Sequence, residues 1–368
     1  MCFSKIPSRS VVITKAATVA EIEALAAQYE PMVAQAVNAA LQAQADAIDL
    51  DALAAALSSG DINAVFTILD QATAAFGGMT NALMDVIFAG GLLGAAQVTK
   101  DVGSVVFEFN RLNPKLIDWL KTYNLGLIRE IEGKTKEGIR TQLLDGMKAG
   151  INPRDQASNI KTIVGLTQRQ SAAVANFRRE LEGFHEKRTA GGYGLGKKID
   201  RVNGHQVFRP GEDGKPKDGI LNRRLRDFRY DGLLANAVKT GKPLTPDQIN
   251  KMVDAYARKY RKYRAETIAR TESLRTTNMG VQEAWRQAVE NGTVVEELIR
   301  RFWKVAKDER TCPVCKPIPG MNPKGVGLAE PFATPKGAMF LMPAHPDCRC
   351  HLFIRVIEPE EKAAYGLA

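Results

Sequence analysis

Four of the five cysteines, Cys312, Cys315, Cys348 and Cys350, fall within 39 residues of a 368-residue chain, and no other feature limits its fold so tightly. Clustered thiols serve as a disulfide framework, a redox pair or metal ligands. The length of the chain, and a start without the apolar run of a secretory signal, point away from a disulfide scaffold. Cys312-Pro313-Val314-Cys315 offers two sulfurs from one turn. After a gap of 29 residues, His345-Pro346-Asp347-Cys348-Arg349-Cys350-His351 offers the rest. Zinc takes four soft or borderline ligands in a tetrahedron, which two such arms can supply. The spacing therefore predicts a structural zinc site formed by Cys312, Cys315, His345 and Cys348, with Cys350 as the alternative fourth ligand. His351 ranks last, because in a strand starting at Cys350 it points away from Cys348. The bland alternative is a set of free or redox-active thiols packed in a small β module.

A catalytic metal fits this pattern less well. Five or six potential ligands imply a closed, saturated site, whereas catalysis needs an open position and a nearby base. A zinc-dependent nuclease of the HNH type is the enzymatic rival. It needs a His-centred site, and only His185 and His205 are left for one, in another segment. Asp308 and Glu309 are better suited to holding local backbone or Arg310. The run Gly191-Gly192-Tyr193-Gly194-Leu195-Gly196-Lys197-Lys198 has the spacing of a phosphate-binding loop up to its lysine. Lys198 replaces the Ser or Thr that meets Mg²⁺, and a helix rather than a strand precedes it, so it reads as a flexible basic loop.

Most of the remaining sequence reads as helix. Residues 16–76 are rich in Ala, Glu, Gln and Leu, and Ile22, Leu25, Ala26, Tyr29, Met32, Val33, Ala36 and Val37 recur on one face. Gly77 to Val98 is apolar but interrupted by Asn81, Asp85 and Gly90-Gly91, which predicts a buried or partner-facing helix hairpin; a membrane-active segment is the lesser alternative. No stretch of about 18 uncharged apolar residues occurs, so no stable membrane span is expected. Helix starts are marked at Asn152-Pro153-Arg154-Asp155, at Thr167 with Gln170, and at Thr245-Pro246-Asp247-Gln248. The last opens a helix whose stripe runs Ile249, Met252, Val253, Tyr256, Tyr260, Tyr263 and Ile268, with a break expected near Gly280 and a turn at Asn291-Gly292. Residues 191–219 read as loops with a hairpin around Asn203-Gly204. Strands are expected over 298–305 and 350–356. The fold class is mainly α with a small α+β C-terminal domain, a helical body followed by a short β-hairpin-type zinc-stapled module. Its expected parts are a tail at 1–15, an acidic helical region at 16–125, a basic helical core at 126–297, the Cys/His module at 298–358 and a tail at 359–368.

The net charge of +10 is regional. Residues 1–100 carry a net −5, whereas 178–264 carry 22 Lys/Arg against 11 Asp/Glu. Arg223, Arg224, Arg226 and Arg229 alternate with apolar and aromatic residues, and Arg261, Lys262 and Arg264 repeat the theme. Such residues grip phosphates and stack on bases, dock an acidic protein partner, or form a solvated face.

Taken in order, Ala265-Glu266-Thr267-Ile268-Ala269-Arg270-Thr271-Glu272, Asn278, Gly280, Trp285, Trp303, Asp308-Glu309-Arg310-Thr311-Cys312, Gly320 and Pro343-Ala344-His345-Pro346-Asp347-Cys348-Arg349-Cys350 form a recognisable series. It resembles the phage Mu F-like head morphogenesis family, the minor head proteins of tailed phages, over residues 130–356. The resemblance implies a non-enzymatic, low-copy virion protein attached to the portal protein inside the capsid, present in the host cytoplasm during assembly. It also implies action in head assembly and in DNA packaging or ejection. Major capsid or scaffolding protein and phage double-stranded DNA are further candidate partners, and the basic residues above become candidate portal or nucleic-acid contacts. Some relatives append a toxin domain, for which the residues after Val356 leave no room. Arg270 and Glu272 are expected to be buried structural pairs.

Overall fold

The computed structural model describes residues 19–71, 76–103, 106–187, 200–202, 205–207, 223–305, 311–346 and 348–367. The glycine-rich run 191–198, Asp308 to Arg310 and the tip of the hairpin at 203–204 lie outside the described residues. The chain is mainly helical, with a few short antiparallel strands, as expected from its periodicity. Helices α1 (Val19–Asp46), α2 (Leu50–Ser59), α3 (Ile62–Asp70), α4 (Gly77–Val102), α5 (Pro114–Lys148), α6 (Pro153–Ile163) and α7 (Gln168–Lys187) come first. A small hairpin, β1 (Asp200–Val202) and β2 (His205–Val207), precedes α8 (Asp231–Thr240) and the long α9 (Pro246–Glu290). The C-terminal part holds β3 (Ile299–Lys304), α10 (Ile318–Met321), β4 (Phe332–Thr334), β5 (Gly337–Met339), β6 (His351–Val356) and α11 (Lys362–Tyr365).

The helix starts form where local chemistry places them. The Asn152 side chain accepts the Asp155 N–H at 3.0 Å, with Pro153 in the first turn. Thr167 and Gln170 exchange reciprocal bonds, as do Thr245 and Gln248, so each box satisfies two amides that the helix leaves unpaired.

Two compact units interleave in sequence. Unit 1 comprises 1–37, 77–124 and 266–368; unit 2 comprises 38–76 and 125–265. The core of unit 2 gathers Ile139 and Leu143 of α5, Ile160 and Ile163 of α6, Phe177 and Leu181 of α7, and Met252, Val253 and Tyr256 of α9. The core of unit 1 gathers Ile22, Ile87, Leu93, Leu116, Leu120, Trp285 and Ala288, together with Ile299 and Trp303 of β3 and Leu352 and Ile354 of β6. Strands β3 and β6 pair antiparallel, with Trp303 opposite Leu352. Gln97 ties this core together. Its amide nitrogen donates to Ile354 O at 2.5 Å, and its oxygen accepts the Trp285 indole N–H at 3.3 Å.

Two expectations change. Residues 77–98 form no hairpin: α4 is one continuous helix, and α9 runs unbroken through Gly280. The glycines are contact points rather than turns. A Cβ on Gly280 would stand 2.2 Å from Ile87 O, and one on Gly90 would stand 2.5 Å from Thr277 O. With hydrogen in place of a side chain the two helices approach backbone to backbone. Helix α4 is long and apolar enough to cross a bilayer by length and composition, but here its small-residue face is covered by α9.

Candidate metal centre

Both cysteine arms sit in unit 1, each built by a tight turn. In the first, Cys315 N–H bonds to Cys312 O at 3.1 Å and lies 3.3 Å from Cys312 Sγ; Ile318 N–H then bonds to Cys315 O and opens α10. Ile318 is fully buried, which pins the turn to the core. The second arm follows the cis Met342–Pro343 peptide, and Cys348 N–H reaches back to His345 O at 3.3 Å. Its outgoing end becomes β6.

These turns bring five donor atoms together in two triads that share Cys315. The first contains Cys312, Cys315 and His345; the second contains Cys315, Cys348 and Cys350. His345 Nε2 lies 2.8 Å from Cys312 Sγ and 3.3 Å from Cys315 Sγ, and Cys315 Sγ lies 3.5 Å from Cys348 Sγ. His345 Nδ1 bonds to Pro346 O at 2.7 Å. That bond places the proton on Nδ1 and turns Nε2 towards the sulfurs. Cys315, Cys348 and Cys350 are buried, while Cys312 is half-buried. A tetrahedral zinc ion has donor–donor edges of about 3.5–3.8 Å. The donors are therefore slightly closer together than they would be around such an ion.

The electrostatics of the cluster are frustrated. The thiol of Cys350 donates to Cys348 and, against the cost of burial, holds the Cys348 thiol down at about 5. Burial first, and the neighbouring thiols after it, push Cys315 up to about 12. Cys350 is pushed up as well, by its bond to Cys348 and by burial. Cys312 is lowered despite partial burial, by the Cys315 N–H and by His345. Burial alone would depress His345, but the Pro346 carbonyl and the adjacent thiolates raise it. Four sulfurs in this volume cannot all ionise without a cation, so the donor set suits a borderline-soft divalent ion.

His351 stands apart, as the strand alternation predicts. Its ring is buried at the start of β6, and Nε2 lies 3.0 Å from Glu23 Oε1 in α1 at an angle that makes no hydrogen bond. Burial, only partly offset by Glu23, lowers its basicity.

The basic residues divide sharply by burial. Arg261 donates to Thr162 O and Val164 O, and Arg264 donates to Gly165 O, Ile131 O and Thr135 Oγ1. Both are buried, which removes them from the contact surface expected of them and makes them internal braces of unit 2. Arg226 is also buried, bonded to both oxygens of Asp231, and half-buried Arg223 grips Glu180 with two nitrogens. Arg224, Arg229 and Lys262 are exposed, with Arg229 held by Asp227. The stripe rule missed this because α9 is buried on several sides; Tyr263, placed on its apolar face, is 46% exposed. Arg270 is a second correction: its side chain is exposed and 3.7 Å from Glu30, while Glu272 is buried and paired with Arg275.

Nothing in composition pointed to Arg301. It is fully buried, donates to Gly327 O, Phe340 O, Glu330 O and Gln282 Oε1, and lies over the Phe332 ring. It braces the loops between the two ligand arms.

The run from α8 through α9 to the two arms coincides with one family-model match. Residues 231–353 match the family model described as Phage Mu protein F like protein, so that third of the chain carries the domain whose pattern the sequence resembles. No curated protein and no solved structure matches the chain.

Proposed function

We propose that this protein is a non-enzymatic minor head protein that docks on the portal inside the capsid and acts in head assembly and in DNA packaging or ejection. One structural zinc ion fixes its C-terminal part. The observation that carries this reading is the family match, because one stretch contains the whole of α9 and all five donors of the Cys/His centre. Chemistry supports the structural role of the ion. The donors are mostly buried and outnumber the four positions of a zinc tetrahedron, which favours a closed site over an open, catalytic one. The exposed Arg224, Arg229 and Lys262 offer charge to portal or DNA.

The test is cosedimentation. The protein is expected in purified virions and in portal-containing heads at low copy number, and in neither pelleted portal-free shells nor the soluble fraction of mature lysates. Absence from purified virions overturns the reading. Metal-loaded protein incubated with DNA and Mg²⁺ should leave the DNA intact; cleavage abolished by Cys312→Ala would replace this proposal with a nuclease.

A further inference from the structure

The second ligand arm is held at both ends by one face of α9. Arg275 Nη2 donates to Pro343 O at 3.2 Å, two residues before His345. Asn278 Oδ1 accepts the Leu352 N–H at 3.0 Å, two residues after Cys350. Residues three apart in a helix share a face, so these anchors are set one turn from each other by the helix itself. Both belong to unit 1, as do Pro343 and Leu352.

Arg275 is fixed in turn. Its Nη1 lies 3.2 Å from Glu272 Oε1, one turn back, and 3.2 Å from the Tyr123 hydroxyl. That hydroxyl donates to Glu272, and Trp119 stacks on the Tyr123 ring at 4.7 Å. Glu272 is buried, so its carboxylate needs these donors, and the guanidinium has little freedom to leave.

The two anchors act on different donors. Arg275 holds the entrance to the turn that aims His345 Nε2 at Cys312 and Cys315. Asn278 holds the exit, which places Cys350 against Cys315 and Cys348 but outside the triad that includes Cys312. We propose that Arg275 is a positioning residue that selects the His345 nitrogen over the Cys350 sulfur as the fourth ligand of the centre. Released from Pro343, the His345 turn swings away while Asn278 keeps Cys350 in reach, and the ion completes its shell with sulfur alone. This inference rests on the metal-centre reading above.

Cobalt(II) is the probe, titrated into the full-length, reduced, metal-stripped protein. Its charge-transfer band counts thiolates, and its ligand-field bands move to longer wavelength when a nitrogen is replaced by sulfur. The native protein is expected to show three sulfurs and one nitrogen. Arg275→Met should shift the bands to a four-sulfur pattern and weaken cobalt binding about tenfold, as loss of an outer-sphere partner does. Arg275→Lys, which can still donate to Pro343 O, should restore the native spectrum, and adding Cys350→Ser to Arg275→Met should abolish the shift. If far-UV circular dichroism shows Arg275→Met to be unfolded, Glu272→Gln takes its place, with a smaller shift in the same direction. A variant spectrum identical to the native one, or a native spectrum already showing four sulfurs, overturns the selection by Arg275 while leaving the metal centre intact. No thiolate–cobalt band in the native protein instead removes the metal centre itself.

Discussion

At the scale of the residue, arginine carries two opposite jobs in this chain. Alternation with aromatic residues made Arg223 to Arg229 and Arg261 to Arg264 legible as a basic surface, because composition shows charge but not the backbone carbonyls that wait for it elsewhere in the chain. Arg264 meets Ile131 and Gly165, residues more than 90 positions away. Burial lowers Arg261 and Arg264 to about 10, so both stay protonated at neutral pH and keep donating to these carbonyls. Arg264→Met removes the donor to Gly165 O, at about 1–3 kcal/mol, and one of the donors to Ile131 O, which keeps the Thr135 hydroxyl. A clear fall in the denaturant midpoint is expected, measured by urea titration. Arg224→Ala removes an exposed charge and should change stability by no more than about 0.5 kcal/mol. If the exposed residues meet DNA, it should lower the salt slope of binding by about one. A slope unchanged by Arg224→Ala would assign that residue to another partner.

At the scale of the element, local signals were legible and distant ones were not. The capping residues at Asn152, Thr167 and Thr245 act within three positions of themselves, so sequence alone places those helix starts. The ligand arms were legible for the same reason: each is a short turn with its donors at fixed spacing. Gly90 and Gly280 looked like interruptions because the reason for a small residue lies on the other helix, nearly 190 positions along the chain, while Gly91 makes room for the Phe109 ring. Arg275 carried no signal at all, since its value depends on Pro343 and Tyr123 arriving beside it. Gly280→Ala gains about 1 kcal/mol of helix propensity. It loses more, because a methyl 2.2 Å from Ile87 O forces α4 away from α9. Thermal denaturation should show a lower midpoint, whereas Gly133→Ala, exposed in α5 with nothing within 4 Å, should raise it. Equal behaviour of the two variants would contradict the close helix contact.

At the scale of the whole molecule, the centre is expected to matter regionally. Stripping the ion returns four crowded sulfurs to a volume that disfavours their charge, so the turns that carry them should loosen first. Hydrogen exchange with and without a chelator measures this. Protection is expected to fall in β3, β6 and the residues around Cys312 and Cys348, and to persist in α6 and α7, whose core lies in unit 2. Uniform loss, or none, would mean that the ion is not the staple of this region. The mainly helical class was readable from periodicity; the way the units interleave was not, because periodicity reports which face of a helix is buried and not which distant segment covers it.

Interleaving also restricts how such a chain can change. The stretch that matches the family model starts in unit 2 and ends in unit 1, and its Gly280 closes against Gly90 and Gly91, which lie outside it. A recombinant that inherits residues 231–353 from one parent and α4 from another must find a matching notch for every ridge. Viable crossovers should therefore transmit the two stretches together, as a lock travels with its key.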